Sequence, residues 1–280
     1  LVRSRGLGDV YKRQGGSGDK ERVSRHPTAV IHPQARLAAD VIVGPYAVIA
    51  AEVEIGAGSE VGTHAVLEGP LRLGARNRIF PYAAVGLIPQ DLKFRGERSE
   101  VIIGDENSIR EFVTIHRGTA GGGGVTRIGN HNLIMAYAHI AHDCILGDAI
   151  ILGNGVTLAG HVVIEDHAVV GAFCGIHQFC RIGRHSFIGG YTVVTQDVLP
   201  FSRTVWEREA KVYGVNVVGL ERRGFSPERI ARLHTAFRSL TQSKLNTSQA
   251  VEQIRQSLDQ NEDITELLRF IETSQRGVIK

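Results

Sequence analysis

Ile164-Glu165-Asp166-His167-Ala168-Val169-Val170-Gly171-Ala172-Phe173-Cys174-Gly175-Ile176 carries the rhythm that decides the fold. Ile164, Val170 and Ile176 stand six residues apart, Gly171 directly follows its mark, and Ala168 and Cys174 are small residues four places on. The same beat extends back to Ile31 and forward to Val194, with one break after Val85 and another after Ile115. Every marked position is Ile, Leu or Val. A period of six fits neither a helix nor a plain alternating strand. It fits a short strand followed by a corner, in which glycine supplies unusual backbone angles and small residues fit where the chain bends inward. Hexads of this kind predict a parallel β-helix. Three flat faces then close one coil in about 18 residues, and each coil buries its aliphatic marks against its neighbours.

A chain of 280 residues accommodates one long solenoid and a smaller domain. The expected organisation is an N-terminal extension over 1–25, a solenoid over 26–200 with loops at 86–102 and 116–127, and a C-terminal α-helical domain over 201–280. The extension lacks the beat, and Leu1 to Gln14 resembles translated sequencing-adapter sequence, so it is expected to be disordered or artefactual. It also lacks the apolar middle of a signal peptide. A net charge of +3 gives no reason to expect nucleic acid, and no apolar run approaches the length of a membrane span. Cys144, Cys174 and Cys180 all occupy the fifth hexad position, as small buried residues of a reduced, cytoplasmic protein.

The C-terminal part changes period. Ser226-Pro227 is a helix-start signal, and Ile230, Leu233, Phe237 and Leu240 form a helical stripe. Val251, Ile254 and Leu258 suggest a second helix, and Ile264, Leu267, Leu268 and Ile271 a third. Arg222 and Arg223, read as the start of the helical region, are either solvated or an anion site.

Histidines concentrate in the second block of hexads. His142, His161 and His177 fall one to three residues after marks 18 apart, which predicts one strip on three successive coils, with His139 at the preceding corner and Gln178 beside His177. Clustered imidazoles serve general-base catalysis, with Asp143 to orient the ring, or a three-histidine metal site. The 121–124 glycine run suggests a phosphate cradle only weakly, since no helix pattern follows it, and a surface loop is the plainer reading.

Several motifs together carry a family resemblance. They are His139-Ile140-Ala141-His142-Asp143-Cys144, Ile115-His116-Arg117-Gly118-Thr119, Leu158-Ala159-Gly160-His161, His177-Gln178-Phe179-Cys180, Gln90-Asp91-Leu92-Lys93, Gly214-Val215-Asn216 and Arg222-Arg223-Gly224-Phe225. From about residue 26 onward the chain resembles the acyl-carrier-protein-dependent UDP-N-acetylglucosamine O-acyltransferases of lipid A biosynthesis. The resemblance implies a left-handed coil, an exception to the usual crossover hand. It also implies transfer of an (R)-3-hydroxyacyl chain from acyl carrier protein to the glucosamine 3-hydroxyl, in a cytoplasmic homotrimer with sites between subunits, no metal and no organic cofactor. By the same resemblance, His142 is the general base, Asp143 its orienting carboxylate and Gly160 the oxyanion donor. Asp91, Lys93, His139, His161, His177 and Gln178 hold substrate; Asn216, Arg222 and Arg223 serve the nucleotide and carrier-protein side; Gly190 sets acyl-chain length. Val218 replaces a frequent glutamate, and the stretch from Val205 to Glu209 departs from the family pattern, which weakens the transfer of nucleotide contacts. Two other enzymes remain open at this point: the sister N-acyltransferase of the same pathway, which usually carries an extra N-terminal domain, and a metal-dependent hydratase of the carbonic anhydrase type. A purely structural solenoid would present rows of Thr or Ser rather than His.

Overall fold

A computed structural model of the chain describes residues 24–206, 210–241 and 245–279. The expected N-terminal extension up to residue 23, and 207–209 of the departing stretch, lie outside the described residues.

Short strands from Val30–Ile31 to Val193–Val194 fall in strict rotation into three parallel sheets. Sheet 1 begins with Val30–Ile31, sheet 2 with Arg36–Leu37 and sheet 3 with Ile42–Val43. Pairing is at 18 residues almost throughout, as in Val48↔Val66 and Thr157↔Gly175. The molecule is a left-handed parallel β-helix followed by a helical domain. Two coils are longer: Val85 pairs with Ile115, and Ile115 with Ile140. Both extra lengths emerge where sheet 1 hands over to sheet 2, between the strands Ala84–Leu87 and Glu100–Ile103 and between Thr114–His116 and Val125–Ile128. We call this turn the 1–2 corner.

The marks form the core: Ile49, Leu67, Ile115, Ile140 and Leu158 are essentially fully buried, while the residue before each mark points outward. Burying each aliphatic side chain stabilises the coil by about 1.5–3 kcal/mol. Small residues at the fifth position, Ala47, Ala65 and Ala138 among them, are fully buried where the chain turns inward. At the turn from sheet 2 to sheet 3 that position instead holds Asn77, Asn107 and Asn132 in a buried ladder. Asn77 Oδ1 accepts from the Asn107 N–H (2.9 Å), and Asn107 Oδ1 from the Asn132 N–H (2.9 Å).

The corner glycines differ from expectation. Gly56, Gly62 and Gly153 follow their marks but do not supply the left-handed residue; an added Cβ would meet the backbone of the next coil at 2.6–2.8 Å. Left-handed φ falls two residues later; Gly58 and Gly155 adopt it, but so do many ordinary side chains, including Tyr46, His64, Asp143 and His161. Such residues cost roughly 1–2 kcal/mol each, which the stacked coils offset. At the turn from sheet 3 to sheet 1 those side chains form an exposed ladder, Tyr46–His64–Tyr82–Phe112–Tyr137, with centroids 4.9–5.1 Å apart.

The last coil passes into an antiparallel hairpin, Ser202–Trp206 with Ala210–Val215, which extends sheet 3 and which the hexad pattern does not predict. Among the described residues four helices follow: α1 (Val217–Arg222), α2 (Pro227–Thr241), α3 (Thr247–Ser257) and α4 (Glu262–Thr273). The predicted apolar stripes meet in a second core around Leu220, Leu233, Phe237, Ile254, Leu267 and Phe270. Asn246 and Gln249 close a capping box at α3, and Asn261 caps α4. The helical domain is tied to the final coil, where Asp197 N–H donates to the Gly277 carbonyl and Ile279 N–H to that of Asp197. Among the described residues no helix is long and apolar enough to cross a membrane. The three cysteines are free and buried; burial pushes the Cys144 thiol up to about 12.

Candidate active site

Three consecutive coils bring polar groups to the 1–2 corner. In the first of them, the chain between His116 and Val125 is a loop. In the next the corner carries His142-Asp143, and in the third Gly160-His161. His142 Nδ1 lies 2.8 Å from Asp143 Oδ2, and the ring is only 16% exposed. His161 stands edge-on to His142 at 5.1 Å and stacks on Phe179 at 4.5 Å. Gly160 lies flat against the His142 ring: an added Cβ would sit 2.5 Å from His142 Cε1 and 2.8 Å from Nε2. Any side chain there would displace the ring. The Gly160 carbonyl accepts from the Phe179 N–H (3.2 Å), while its own N–H has no acceptor among the described residues.

The predicted histidine strip is only partly real. Asp143, His161 and Phe179 share one left-handed corner position in successive coils, so His161 is aligned with Asp143 rather than with His142. His177, one residue after its mark, is aligned with Ala159 and Ala141; its ring turns to the Gln178 carbonyl (3.1 Å), and both residues are exposed. His139 is not at a corner either. It lies in the strand His139–Ile140, with Nδ1 2.7 Å from Thr114 Oγ1. The reason is pitch: a one-residue offset along a corner turns a side chain to another direction. The structure supplies a histidine that the strip did not include. His116 is buried and stands edge-on to His139 at 5.0 Å. Asp91, from the first loop, is close enough to His161 to act on its charge, and Asp91 Oδ1 accepts from the Lys93 N–H at 2.9 Å.

Burial governs the electrostatics. It pushes His116 down to about 4, with His139 and His142 adding to the effect. It also lowers His139 and His161; for His161, Asp143 and Asp91 pull the other way. These imidazoles are therefore neutral near pH 7. Side-chain atoms of His142, Asp143 and His161 lie close enough to surround an ion. The donor set fits one poorly, because Asp143 Oδ2 already takes hydrogen bonds from His142 and from Thr119 Oγ1 (2.6 Å) that a metal would have to break.

The remaining candidates lie elsewhere on the chain. Asn216, Arg222 and Arg223 line a groove with Val218, Ile151 and Phe187 on the outer side of sheet 3. Asn216 is buried, caps α1 through the Gly219 N–H (3.3 Å) and donates to the His185 carbonyl (2.9 Å). The arginines close α1 rather than open α2, where cations complement the helix dipole. Neither has a carboxylate partner among the described residues, and burial lowers the pKa of Arg223. Gly190 is exposed at the turn from sheet 3 to sheet 1, with the Ala172 carbonyl 3.2 Å from where a Cβ would be. One chain does not bring these groups together with His142.

A hexad solenoid with an imidazole–carboxylate pair on its corner and unpaired arginines on an appended helical domain defines a transferase of the hexapeptide-repeat class. The bacterial transferase hexapeptide profile matches 126–160 and 161–196, and the profile for domain 2 of UDP N-acetylglucosamine O-acyltransferase matches 197–279. The acyl-[acyl-carrier-protein]–UDP-N-acetylglucosamine O-acyltransferase of Myxococcus xanthus is 51% identical over 91% of this chain and 98% of its own length; that of Xylella fastidiosa is 49% identical over 91% and 97%. The solved structure of the Acinetobacter baumannii protein superposes with a TM-score of 0.89 at 42% identity, covering 92% of this chain and all of the other. The chain belongs to the family of acyl-[acyl-carrier-protein]–UDP-N-acetylglucosamine O-acyltransferases.

Proposed function

We propose that the protein transfers an (R)-3-hydroxyacyl chain from acyl carrier protein to the glucosamine 3-hydroxyl of UDP-N-acetylglucosamine, the first step of lipid A biosynthesis, with His142 as general base. The observation that carries this reading is the His142–Asp143 pair set against Gly160. Asp143 accepts from Nδ1–H and so presents the Nε2 lone pair on the other side of the ring. Nε2 removes the proton from the sugar 3-hydroxyl as its oxygen attacks the thioester carbonyl. The tetrahedral oxyanion is held by the Gly160 N–H, a preorganised donor of a kind that commonly contributes ~3 kcal/mol. Collapse breaks the C–S bond, and the imidazolium returns its proton to the departing thiolate.

Asp91, Lys93, His139, His161, His177 and Gln178 position the substrates around this centre. Asn216 supports the nucleotide groove through α1, and Arg222 and Arg223 bind phosphate or the acidic carrier protein. Because these arginines and Gly190 lie away from His142 on one chain, the complete site is read as forming between subunits of a homotrimer, closed cyclic symmetry being the usual solution. The enzyme is read as cytoplasmic, as the resemblance implies. The test is an acyl-transfer assay with UDP-N-acetylglucosamine and a panel of 3-hydroxyacyl carrier proteins, with the product identified by mass. An ester product is expected. An amide product, or no transfer with the trimer intact by light scattering, would overturn the reading.

A further inference from the structure

The glycine-rich loop closes over the carboxylate of Asp143. The Thr119 N–H donates to Oδ1 at 2.9 Å and its hydroxyl to Oδ2 at 2.6 Å. Oδ2 therefore takes two donors, Thr119 Oγ1–H and His142 Nδ1–H. The loop folds tightly about this contact, with the Gly122 and Gly124 N–H groups donating to the Thr119 carbonyl at 3.0 and 2.8 Å. Glycine is required by the closeness of the approach. A Cβ on Gly122 would lie 2.0 Å from Asp143 Cγ, and one on Gly118 2.7 Å from Oδ1. On the far side Thr126 Oγ1 accepts from the Asp143 N–H at 2.8 Å. The result is a carboxylate with no exposed side-chain surface, its oxygens held by one loop residue and one catalytic ring.

We propose that Thr119, presented by the glycine-rich loop, is a positioning residue that sets the orientation and proton affinity of His142 through the Asp143 carboxylate. The inference rests on the reading of His142 as general base. Two donors on one oxygen compete for its charge: the density that Thr119 withdraws is no longer available to stabilise an imidazolium. With the hydroxyl removed, Asp143 holds the His142 proton more tightly, so the base stays protonated to higher pH. The other groups facing His142 do not take over this function. His161, His116 and His139 are held neutral by burial, and Asp91 faces His161. Thr119 is also tied to the first loop, since the neighbouring Ala120 N–H donates to Glu97 at 3.2 Å.

The experiment compares Thr119→Val with Thr119→Ser in the full-length protein. A ring-nitrogen NMR titration of His142 reads proton affinity without any substrate, and the pH profile of kcat/KM reads it in turnover. Thr119→Val is expected to raise the His142 midpoint, and the acid limb of the profile, by about one unit, the scale of a hydrogen bond to a charged group. That corresponds to about a tenfold loss of kcat/KM on the acid side, with KM for UDP-N-acetylglucosamine little changed. Thr119→Ser restores both readouts. In a His142→Ala background the valine change should have no further effect on rate. An unchanged NMR midpoint in a folded Thr119→Val protein, or a serine variant as impaired as the valine one, overturns the proposal. If the titration shifts but His142→Ala retains activity, the positioning role stands and the general-base assignment is what fails.

Discussion

Asp143 and Asp148 are five residues apart in sequence and belong to neighbouring corners of the same coil, yet they do opposite things. Asp148 is one rung of a ladder. Asp105, Asn130, Asp148 and Asp166 each accept, through a side-chain oxygen, the backbone N–H of the preceding coil: from Ala75 (2.8 Å), Asp105 (2.8 Å), Asn130 (2.6 Å) and Asp148 (2.9 Å). All four occupy the same place in the hexad, and each repeats what its neighbour does. Asp143 stands one place later in its hexad, in the left-handed position. It has no carboxylate above or below it, and its oxygens go to Thr119 and His142 instead. The contrast teaches that polar residues stacked on like neighbours satisfy the backbone, while a polar residue without such neighbours above and below it is available for chemistry.

The largest test of that contrast is His142→Ala. Removing a general base should lower turnover by about 10²–10⁴-fold, with thermal stability and assembly close to wild type because the ring lies outside the core. A variant retaining more than a tenth of wild-type rate would place the base elsewhere. Asn132→Leu attacks the periodic side instead. It deprives the Ile150 N–H of its acceptor (2.7 Å) and the Gly147 carbonyl of its donor (3.0 Å). At about 1–3 kcal/mol for each stranded buried group, stability should fall by about 2–6 kcal/mol. Denaturant unfolding measures this loss, and residual folded protein should keep its specific activity. Equal stability losses from both variants would erase the distinction between the two kinds of corner.

Gly190→Met probes a position that the repeat leaves open. It should shorten the preferred donor chain by a few methylenes, each forfeiting about 0.8 kcal/mol of burial. The ratio of turnover on fourteen- and ten-carbon donors is the readout, and a change within a factor of two would show that the ruler lies elsewhere. Arg222→Ala with Arg223→Ala should raise KM for acyl carrier protein severalfold, most at low ionic strength where charge steering is strongest. A KM indifferent to both the change and the salt would leave the arginines as helix-ending groups only.

The smallest effect is a pH dependence. His185 is buried between His167, Phe201 and Phe225, and burial, helped by His167 and by Arg223, Arg184 and Arg229, pushes it down to about 3. An unfolded histidine titrates near 6.5. As pH falls from there toward 3 the unfolded state binds a proton that the folded state refuses, so stability declines over that window. His185→Phe should flatten this decline in melts across pH, and His116, lowered to about 4, should account for part of what remains.

By itself the sequence determined the coil. A solenoid's contacts recur at fixed separations, so a six-residue spacing of Ile, Leu and Val fixes the strands, the faces and which side chains enter the core, and amphipathic stripes do the same for α2, α3 and α4. It also marked His142, Asp143 and Gly160. Only the tertiary structure decided which polar groups meet. His161 is aligned with Asp143 and His177 points away because a single-residue offset at a left-handed corner redirects a side chain, which a hexad count does not register. Thr119 reaches the site through a loop whose length interrupts the period, so no repeat could place it, and His116 ends the strand before that loop; the local signals were the stretch from Ile115 to Thr119 and the glycine run, whose reason is that a Cβ on Gly122 would lie 2.0 Å from Asp143 Cγ. The hairpin and α1 lie beyond the last hexad, and where Arg222 and Arg223 come to lie was settled by how that hairpin continues sheet 3.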